Sequence, residues 1–408
     1  MEPLKRKLFQ ALADHLYEKE FTIVSGPRQS GKTTLLDQLG DHLKQREEEV
    51  YQLTLEDHAI LSRLNQHPEN LFDFVVRKAG KRVFVLVDEI QYLDDPSNFL
   101  KLIYDKYHPR VKIIATGSSA FYIDHKFKDS LAGRKQLFEL YTLDFDEFLF
   151  FRTGTGVMQE ELSRIRNHDQ YLSSKRKELE SYFHEYLTFG GYPAVVVAGT
   201  VEKKTALLKE IVGSFLKRDI AESNIHDQDK FYKVLMLLSQ QTGSLVNANE
   251  LARTIGISTT AIENYLYVLQ KCFHIQLLRP FYNNLRKELT KMPKVFFHDL
   301  GFRNTLLNQY LPIDQRLDKG MLTENYAYIR LRTLHGNDDL RFWRTTDGSE
   351  VDFVITSGQG KGEAVEIKYE ETGYNPSKYR KFCENYPDYV LNLRAFRSSA
   401  NQTSLIAL

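Results

Sequence analysis

FTIVSGPRQSGKTTLLDQLGDHLKQ, residues 21–45, reads as a short apolar strand, a glycine-bounded loop and an amphipathic helix, in that order. The loop, GPRQSGKT at 26–33, has the pattern G-x-x-x-x-G-K-[ST]. Gly26 and Gly31 let backbone N–H groups curl around a phosphate where side chains would collide. The helix N-terminus adds positive potential at the same spot. Lys32 reaches the outer phosphates, and the Thr33 hydroxyl can ligate Mg²⁺. Gly26, Pro27, Arg28, Gln29, Ser30, Gly31, Lys32, Thr33 and Thr34 are therefore the predicted nucleotide-binding residues, with ATP and Mg²⁺ as cofactors. The plain alternative is an ordinary strand–turn–helix with a surface lysine. The flanking strand and helix count against it.

The sequence around this loop alternates in the same way. Apolar runs VYQLTL (50–55), VFVLVDE (83–89), VKIIATGSS (111–119) and QLFELYTL (136–143) are separated by longer helical patterns. This predicts a parallel sheet with both faces covered. VFVLVDE is a buried strand ending in two acids. Asp88 is placed to hold the metal through its water shell, and Glu89 to polarise an attacking water. A DE pair alone is usually the start of a loop; the phosphate loop upstream favours the catalytic reading. At the end of VKIIATGSS, Thr116 or Ser118 can contact the γ-phosphate or the attacking water, unless Ser118 or Ser119 simply caps a helix. In SLAGRKQLF, Arg134 precedes the fifth strand. It can stabilise transferred charge in cis or from a neighbouring subunit, or be merely solvated.

GPRQSGKT, VFVLVDEIQ, ATGSS and AGR, taken in order, resemble the AAA-type branch of P-loop ATPases. The resemblance implies a five-strand sheet with the catalytic-glutamate strand beside the P-loop strand. It also implies hydrolysis, not mere binding. An arginine finger from a neighbour would imply a homo-oligomer.

Residues 146–240 read as mostly helical, with a turn at Gly190-Gly191-Tyr192-Pro193. NANELARTIGISTTAIENYLYVLQK (247–271) fits two short helices joined at Gly256, with Ser258 capping the second. The outer face of that second helix offers Thr259, Thr260, Glu263, Asn264, Tyr267 and Gln270. From Lys271 to Asn304, seven bases (Lys271, Arg279, Arg286, Lys287, Lys291, Lys294, Arg303) stand against two acids (Glu288, Asp299), a net +5 on a chain that nets +1. Apolar strands FHIQLLRPF and KVFFH bracket the basic loop as a wing would. A winged helix with DNA phosphates as partner is one reading; a lid or interdomain contact is the other.

Near the C-terminus, GSEVDFVIT (348–356) and EAVEIKY (363–369) are joined by a glycine-rich loop and read as a hairpin. By strand alternation Val351, Phe353 and Ile355 share a face and Asp352 points away from them. Glu366 and Lys368 share the face opposite Val365, Ile367 and Tyr369. Unpaired, such groups would cost roughly 2–7 kcal/mol each if buried neutral, and more if charged. A metal between the carboxylates would relieve this. The plain alternative is a cross-strand salt bridge on a solvated face. The spacing D-x₁₃-E-x-K resembles the catalytic core of the restriction-endonuclease-like superfamily. That resemblance makes Asp352 and Glu366 metal-binding acids and Lys368 the catalytic lysine. It also points to Glu324, on the helix before, as a further acid, in an α-β-β-β-α-β core. Glu350 is a fourth acid or a partner for Lys368.

Over roughly residues 20–395 the arrangement resembles a prokaryotic family of predicted ATPases that join an AAA-type domain, a winged helix and a C-terminal nuclease-like domain. GPRQSGKT, VDEIQ, GGYP, FLKRDI and GSEVDFV with EAVEIKY carry the resemblance. The expected domains are an ATPase over 1–150, a helical connector over 151–240, a winged helix over 241–310 and a restriction-endonuclease-like α/β domain over 311–408. Composition agrees with a globular chain: 42% apolar and 27% charged residues. Two distant cysteines, Cys272 and Cys383, argue against a disulfide frame or zinc site and fit a reducing, cytoplasmic setting. No run approaches the ~20 apolar residues that span a bilayer. Two functions follow: an ATP-driven machine acting on DNA with a metal-dependent nuclease, or a nucleotide switch whose C-terminal domain only binds.

Overall fold

The computed structural model describes residues 4–76, 80–118, 131–168, 170–222, 225, 227–282, 285–356, 361–398, 400–401 and 403–408. They divide into two compact units: residues 1–141 with 271–273, and residues 142–270 with 274–408.

The first unit is built on a parallel sheet of β1 (Phe21–Ser25), β2 (Glu49–Thr54), β3 (Val83–Asp88), β4 (Val111–Gly117) and β5 (Lys135–Glu139), in the order β2-β3-β4-β1-β5. Strands β1, β3 and β4 are buried at every residue, because helices cover both faces. On one face Val24, Phe84, Leu86 and Ile114 pack with Leu35, Leu36, Leu39 and Leu43 of the helix Lys32–Gln45. On the other, Ile23, Val85, Val87 and Ile113 pack with Phe99, Leu100 and Ile103 of the helix Pro96–Tyr107. Each such fully buried side chain contributes about 1.5–3 kcal/mol.

One expectation is corrected. The strand carrying Asp88 is not beside the P-loop strand: β4 lies between them, pairing Thr22 with Ile114 on one edge and Val83 with Val111 on the other. The Thr116 hydroxyl is thereby brought between the loop and the acids.

In the second unit, Leu143 N–H donates to Gly191 at 2.8 Å. Phe145, Phe148 and Leu149 enter a core that also holds Leu162, Phe183, Phe296, Tyr326, Phe353 and Val365. The segments expected as connector, winged helix and C-terminal domain thus share apolar packing. The Gly190-Gly191 turn is forced. A Cβ on Gly190 would lie 2.3 Å from Asp299 Oδ1, and one on Gly191 2.1 Å from the Leu143 carbonyl. Helices Ala248–Ile255 and Thr259–Lys271 meet at Gly256, whose φ is +73°. Ser258 accepts from Ala261 N–H at 3.1 Å. An antiparallel pair follows, β6 (Ile275–Leu278) with β7 (Lys294–Phe297).

The C-terminal sheet contains β8 (Leu340–Arg344), β9 (Glu350–Thr356), β10 (Gly362–Glu370) and β11 (Tyr389–Arg397), in the order β11-β10-β9-β8. Only β10 and β11 run parallel. The helix Lys319–His335 precedes the sheet and Arg380–Asn385 precedes β11. The order is α-β-β-β-α-β, with a mixed sheet.

Three expectations change here. Val351 does not share a face with Phe353 and Ile355: it packs with Val354, Ala364 and Trp343, while Phe353 and Ile355 join the main core. The cause is an irregularity in β9, where pairing runs Arg341↔Val354 and then Trp343↔Val351. Two residues of β8 are matched by three of β9, and such a bulge re-aims side chains. The other two concern the basic segment. Lys294 is 2% exposed and Arg303 1% exposed, so neither belongs to a basic surface. Arg303 donates to the Ser239 carbonyl at 3.0 Å and pairs with Asp318.

Candidate functional site

The loop after β1 holds the geometry its glycines predicted. A Cβ on Gly26 would lie 2.0 Å from the Leu140 carbonyl oxygen. Gly31 has φ +94° at the start of the helix Lys32–Gln45, and Gln29 has φ +60°. Lys32 is buried and donates to the Gly26 and Pro27 carbonyls at 3.0 and 2.9 Å. Ser30 Oγ is buried with no hydrogen-bond partner among the described residues. Arg6 braces the loop from outside, donating to the Ser30 carbonyl at 2.8 Å.

The acids expected at the end of β3 are there. Thr33 Oγ1 donates to Asp88 Oδ2 at 2.8 Å, and Thr116 Oγ1 donates to Asp88 Oδ1. Thr33 and Asp88 thus face one point beside the loop, a fit for Mg²⁺ held by a hydroxyl and a carboxylate's water shell. Glu89 leaves the strand with φ +57°, a left-handed conformation uncommon for a non-glycine residue. Its N–H donates to Thr116 Oγ1 at 3.2 Å. Ser118 is buried and does not stand alone: its Oγ accepts from Gln91 Nε2 at 2.9 Å. The same Gln91 amide donates to Glu89 Oε2. Sequence reasoning did not single out Gln91, although VDEIQ places it two residues past the glutamate. The Ser119 cap lies outside the described residues.

Arg134 is not brought to this point. It precedes β5, and its carbonyl accepts from Phe21 N–H at the opposite end of β1 from the loop. Its guanidinium pairs with Asp105, with Nε 2.7 Å from Oδ1 and Nη2 3.3 Å from Oδ2. A role in cis is excluded by five residues of strand, about 16 Å of rise.

The C-terminal unit brings Glu324, Asp352, Glu366 and Lys368 together. The β9–β10 ladder ends at Phe353↔Val365, and Asp352 Oδ2 accepts the next free N–H, from Ile367, at 2.8 Å. Lys368 Nζ pairs with Glu366 Oε1. Glu350, Asp352, Glu366, Lys368, Ser349 and Tyr379 line a cleft of about 460 Å³. Sequence reasoning missed a fifth member. Lys294 Nζ lies 2.8 Å from Glu324 Oε1, 2.5 Å from Glu350 Oε1 and 3.9 Å from Asp352 Oδ1. Glu350 therefore partners Lys294, and Arg344 at 3.0 Å, rather than Lys368.

The electrostatics follow from burial. Burial pushes Glu324 up to about 8, with Asp352 and Glu350 adding and Lys294 opposing. Burial raises Asp352 too, against Lys294. Burial, then Asp352, pushes Glu366 to about 7, with Lys368 opposing. Burial pulls Lys294 down, but Glu324, Asp352 and Glu350 raise it well above the lysine range. The cluster therefore keeps Lys294 charged. Among the described residues, no three His, Cys, Asp or Glu side chains are disposed to hold a metal ion. The acids do not fit the expected divalent cation, because an ammonium already sits among them.

Residues 18–149 match the AAA domain family, and residues 180–311 and 319–406 match two domains of unknown function, DUF8612 and DUF4143. The chain is similar to an uncharacterized protein of Haemophilus influenzae, 24% identical over 362 residues, covering 86% of this chain and 82% of that one. Another, from Methanocaldococcus jannaschii, is 26% identical over 379 residues, covering 90% and 79%. A third, from Mycobacterium tuberculosis, is 26% identical over 365 residues, covering 88% and 72%. A solved structure of the replication initiator DnaA bound to AMPPCP and single-stranded DNA is 16% identical and covers 65% of this chain and 86% of that one. Its TM-score is 0.32. Among the described residues no helix is long and apolar enough to cross a membrane. The family match, the parallel five-stranded sheet and the glycine loop at the end of β1 give residues 18–149 a P-loop fold of the AAA type.

Proposed function

We propose that this chain binds and hydrolyses ATP with Mg²⁺, and that its C-terminal unit engages DNA without cutting it. The observation that carries the first part is Asp88, bonded by Thr33 from the loop and Thr116 from β4, with Glu89 next to it on a left-handed turn. Backbone N–H groups of 26–33 would cradle the phosphates. Lys32 would exchange its loop carbonyls for outer phosphate oxygens, which are stronger, charged acceptors. Thr33 and Asp88 would hold Mg²⁺, whose contribution is to neutralise charge on the phosphate oxygens. Glu89, oriented by Gln91, would accept a proton from the attacking water, and Thr116 or Ser118 would sit beside it. A cis contribution from Arg134 drops out. Its guanidinium is half-buried and paired with Asp105, so a contribution to a neighbouring subunit would require it to leave that partner.

DNA is the proposed partner of the two helices at 248–271 and the ribbon after them. Thr260, Glu263, Asn264 and Tyr267 are exposed on the second helix, and Arg279, Arg286 and Lys291 are exposed on the segment between β6 and β7. With Lys294 and Arg303 interior, the surface is less basic than the sequence count, so the affinity should be modest and its salt dependence set by the few phosphate contacts that remain. The test is ATP turnover and DNA anisotropy on one preparation. Lys32→Ala should lose nucleotide binding. Arg286→Ala with Lys291→Ala should weaken DNA binding and flatten its salt dependence by about 0.9 log unit per lost phosphate contact. Unchanged salt dependence would remove this segment as the DNA surface. Cleavage of DNA that needs a metal and Asp352 would sink the non-cutting reading.

A further inference from the structure

Lys294 is used neither by the phosphate site nor by the DNA reading, and it is 2% exposed. Three carboxylates from two elements converge on its ammonium: Glu324 from the helix Lys319–His335, and Glu350 and Asp352 from β9. The Phe342 ring stands 5.5 Å from Nζ. A Cβ on Gly243 would lie 2.8 Å from Glu324 Oε2, so the backbone closes that side. A buried ammonium is tolerated only with acids around it, and buried acids only with a cation among them.

A divalent ion at this place would need the same oxygens. Mg²⁺ asks for oxygen ligands at about 2.0–2.1 Å in an octahedral shell. Glu324 Oε1 and Glu350 Oε1 are taken by Lys294, and Asp352 Oδ2 by the Ile367 N–H. Glu366 Oε1 is taken by Lys368. Glu324 Oε2, Asp352 Oδ1 and Glu366 Oε2 are left, the last facing the Tyr379 hydroxyl, and with the Lys294 ammonium between the first two acids no three of these side chains, among the described residues, are disposed to hold a metal ion.

We infer that Lys294 is the resident cation of this cluster, standing where a nuclease-like site would hold a divalent metal, so that the natural chain takes up no metal there and loss of the lysine opens a metal site. The inference deepens the non-cutting reading of the C-terminal unit. It concerns metal occupancy, which is measured separately from DNA cleavage.

The test is Mn²⁺ uptake by the full chain, without nucleotide, followed by the electron paramagnetic resonance of free Mn²⁺. Wild type and Asp352→Asn should bind Mn²⁺ identically. Lys294→Met should gain one Mn²⁺ bound at least tenfold tighter than anything that wild type binds, and Lys294→Met with Asp352→Asn should lose it again. Mn²⁺ bound by wild type and abolished by Asp352→Asn overturns the inference, as does a folded Lys294→Met that gains no Mn²⁺. Circular dichroism checks the fold; if Lys294→Met does not fold, the comparison of wild type with Asp352→Asn decides alone. Mn²⁺ uptake at Asp352 without cleavage overturns only this inference. Metal-dependent cleavage overturns the non-cutting reading as well.

Discussion

Lys294 and Glu324, thirty residues apart in sequence, form an ion pair with Nζ 2.8 Å from Oε1, the lysine buried and the glutamate partly so. The lysine comes from the ribbon after the paired helices and the acid from the helix under the C-terminal sheet. Removing one partner of such a pair strands the other, which costs about 3–5 kcal/mol. Lys294→Met in metal-free buffer above pH 8, where Glu324 is ionised, should lower the unfolding free energy by about that much, read from the urea midpoint at constant m-value. A change under about 1 kcal/mol, the scale of an exposed pair, would mean that the pair is solvated.

The same cluster fixes a pH dependence. Glu324 rises from an ordinary value of 4.5 to about 8 on folding. Between those values the folded chain holds a proton that the unfolded chain has released, so this group's stabilisation is lost as the pH rises towards 8. Glu366, pushed to about 7, acts in the same direction. Buried His274, lowered to about 3, and His298, also lowered, oppose it below about 6.5. The informative quantity is therefore the stability of wild type minus that of Glu324→Gln. It should fall between pH 6.5 and 8, measured by urea unfolding at each pH. A rising difference would contradict the assignment.

Gln91 is a positioning residue, acting through its bonds to Glu89 and Ser118. Gln91→Leu should lower kcat for ATP about 10- to 100-fold, the cost of misplacing a reacting group by about an ångström, and leave KM near its wild-type value. A matching rise in KM would make the role one of nucleotide binding.

Gly26 is held against the Leu140 carbonyl, 2.0 Å from where a Cβ would stand. Gly26→Ala must shift the loop or β5. It should cost about 1–3 kcal/mol of stability, the scale of an overpacked core, and weaken ATP binding, measured by melting and by titration with a fluorescent nucleotide. Normal ATP affinity would show that the loop has room to move.

The nucleotide half of the molecule was legible because its signals are local. Strand, glycine loop, lysine and helix are contiguous from Phe21 to Gln45, and the hydrophobic run before Asp88 can only be a buried strand. Lateral order was not legible, since nothing inside VKIIATG says that it slots between β1 and β3. The distance of Arg134 from the loop was legible: in a parallel sheet a residue just before β5 stands at the end opposite a loop that follows β1. In the C-terminal unit the four expected residues do meet. Two things escaped. An extra residue in β9 breaks the alternation that would have put Val351 with Phe353, and a count of bases along the chain cannot tell Arg286, on the surface, from Lys294, which is swallowed by acids far away in sequence.

The most direct measurement of the central claim is single-turnover ATP hydrolysis by Glu89→Gln beside wild type, with nucleotide affinity measured on both. The account predicts unchanged affinity and hydrolysis slowed by about 100-fold or more, the contribution of a positioned general base. Turnover equal to wild type at equal affinity would remove Glu89, and with it the Asp88–Glu89 corner, from the chemistry.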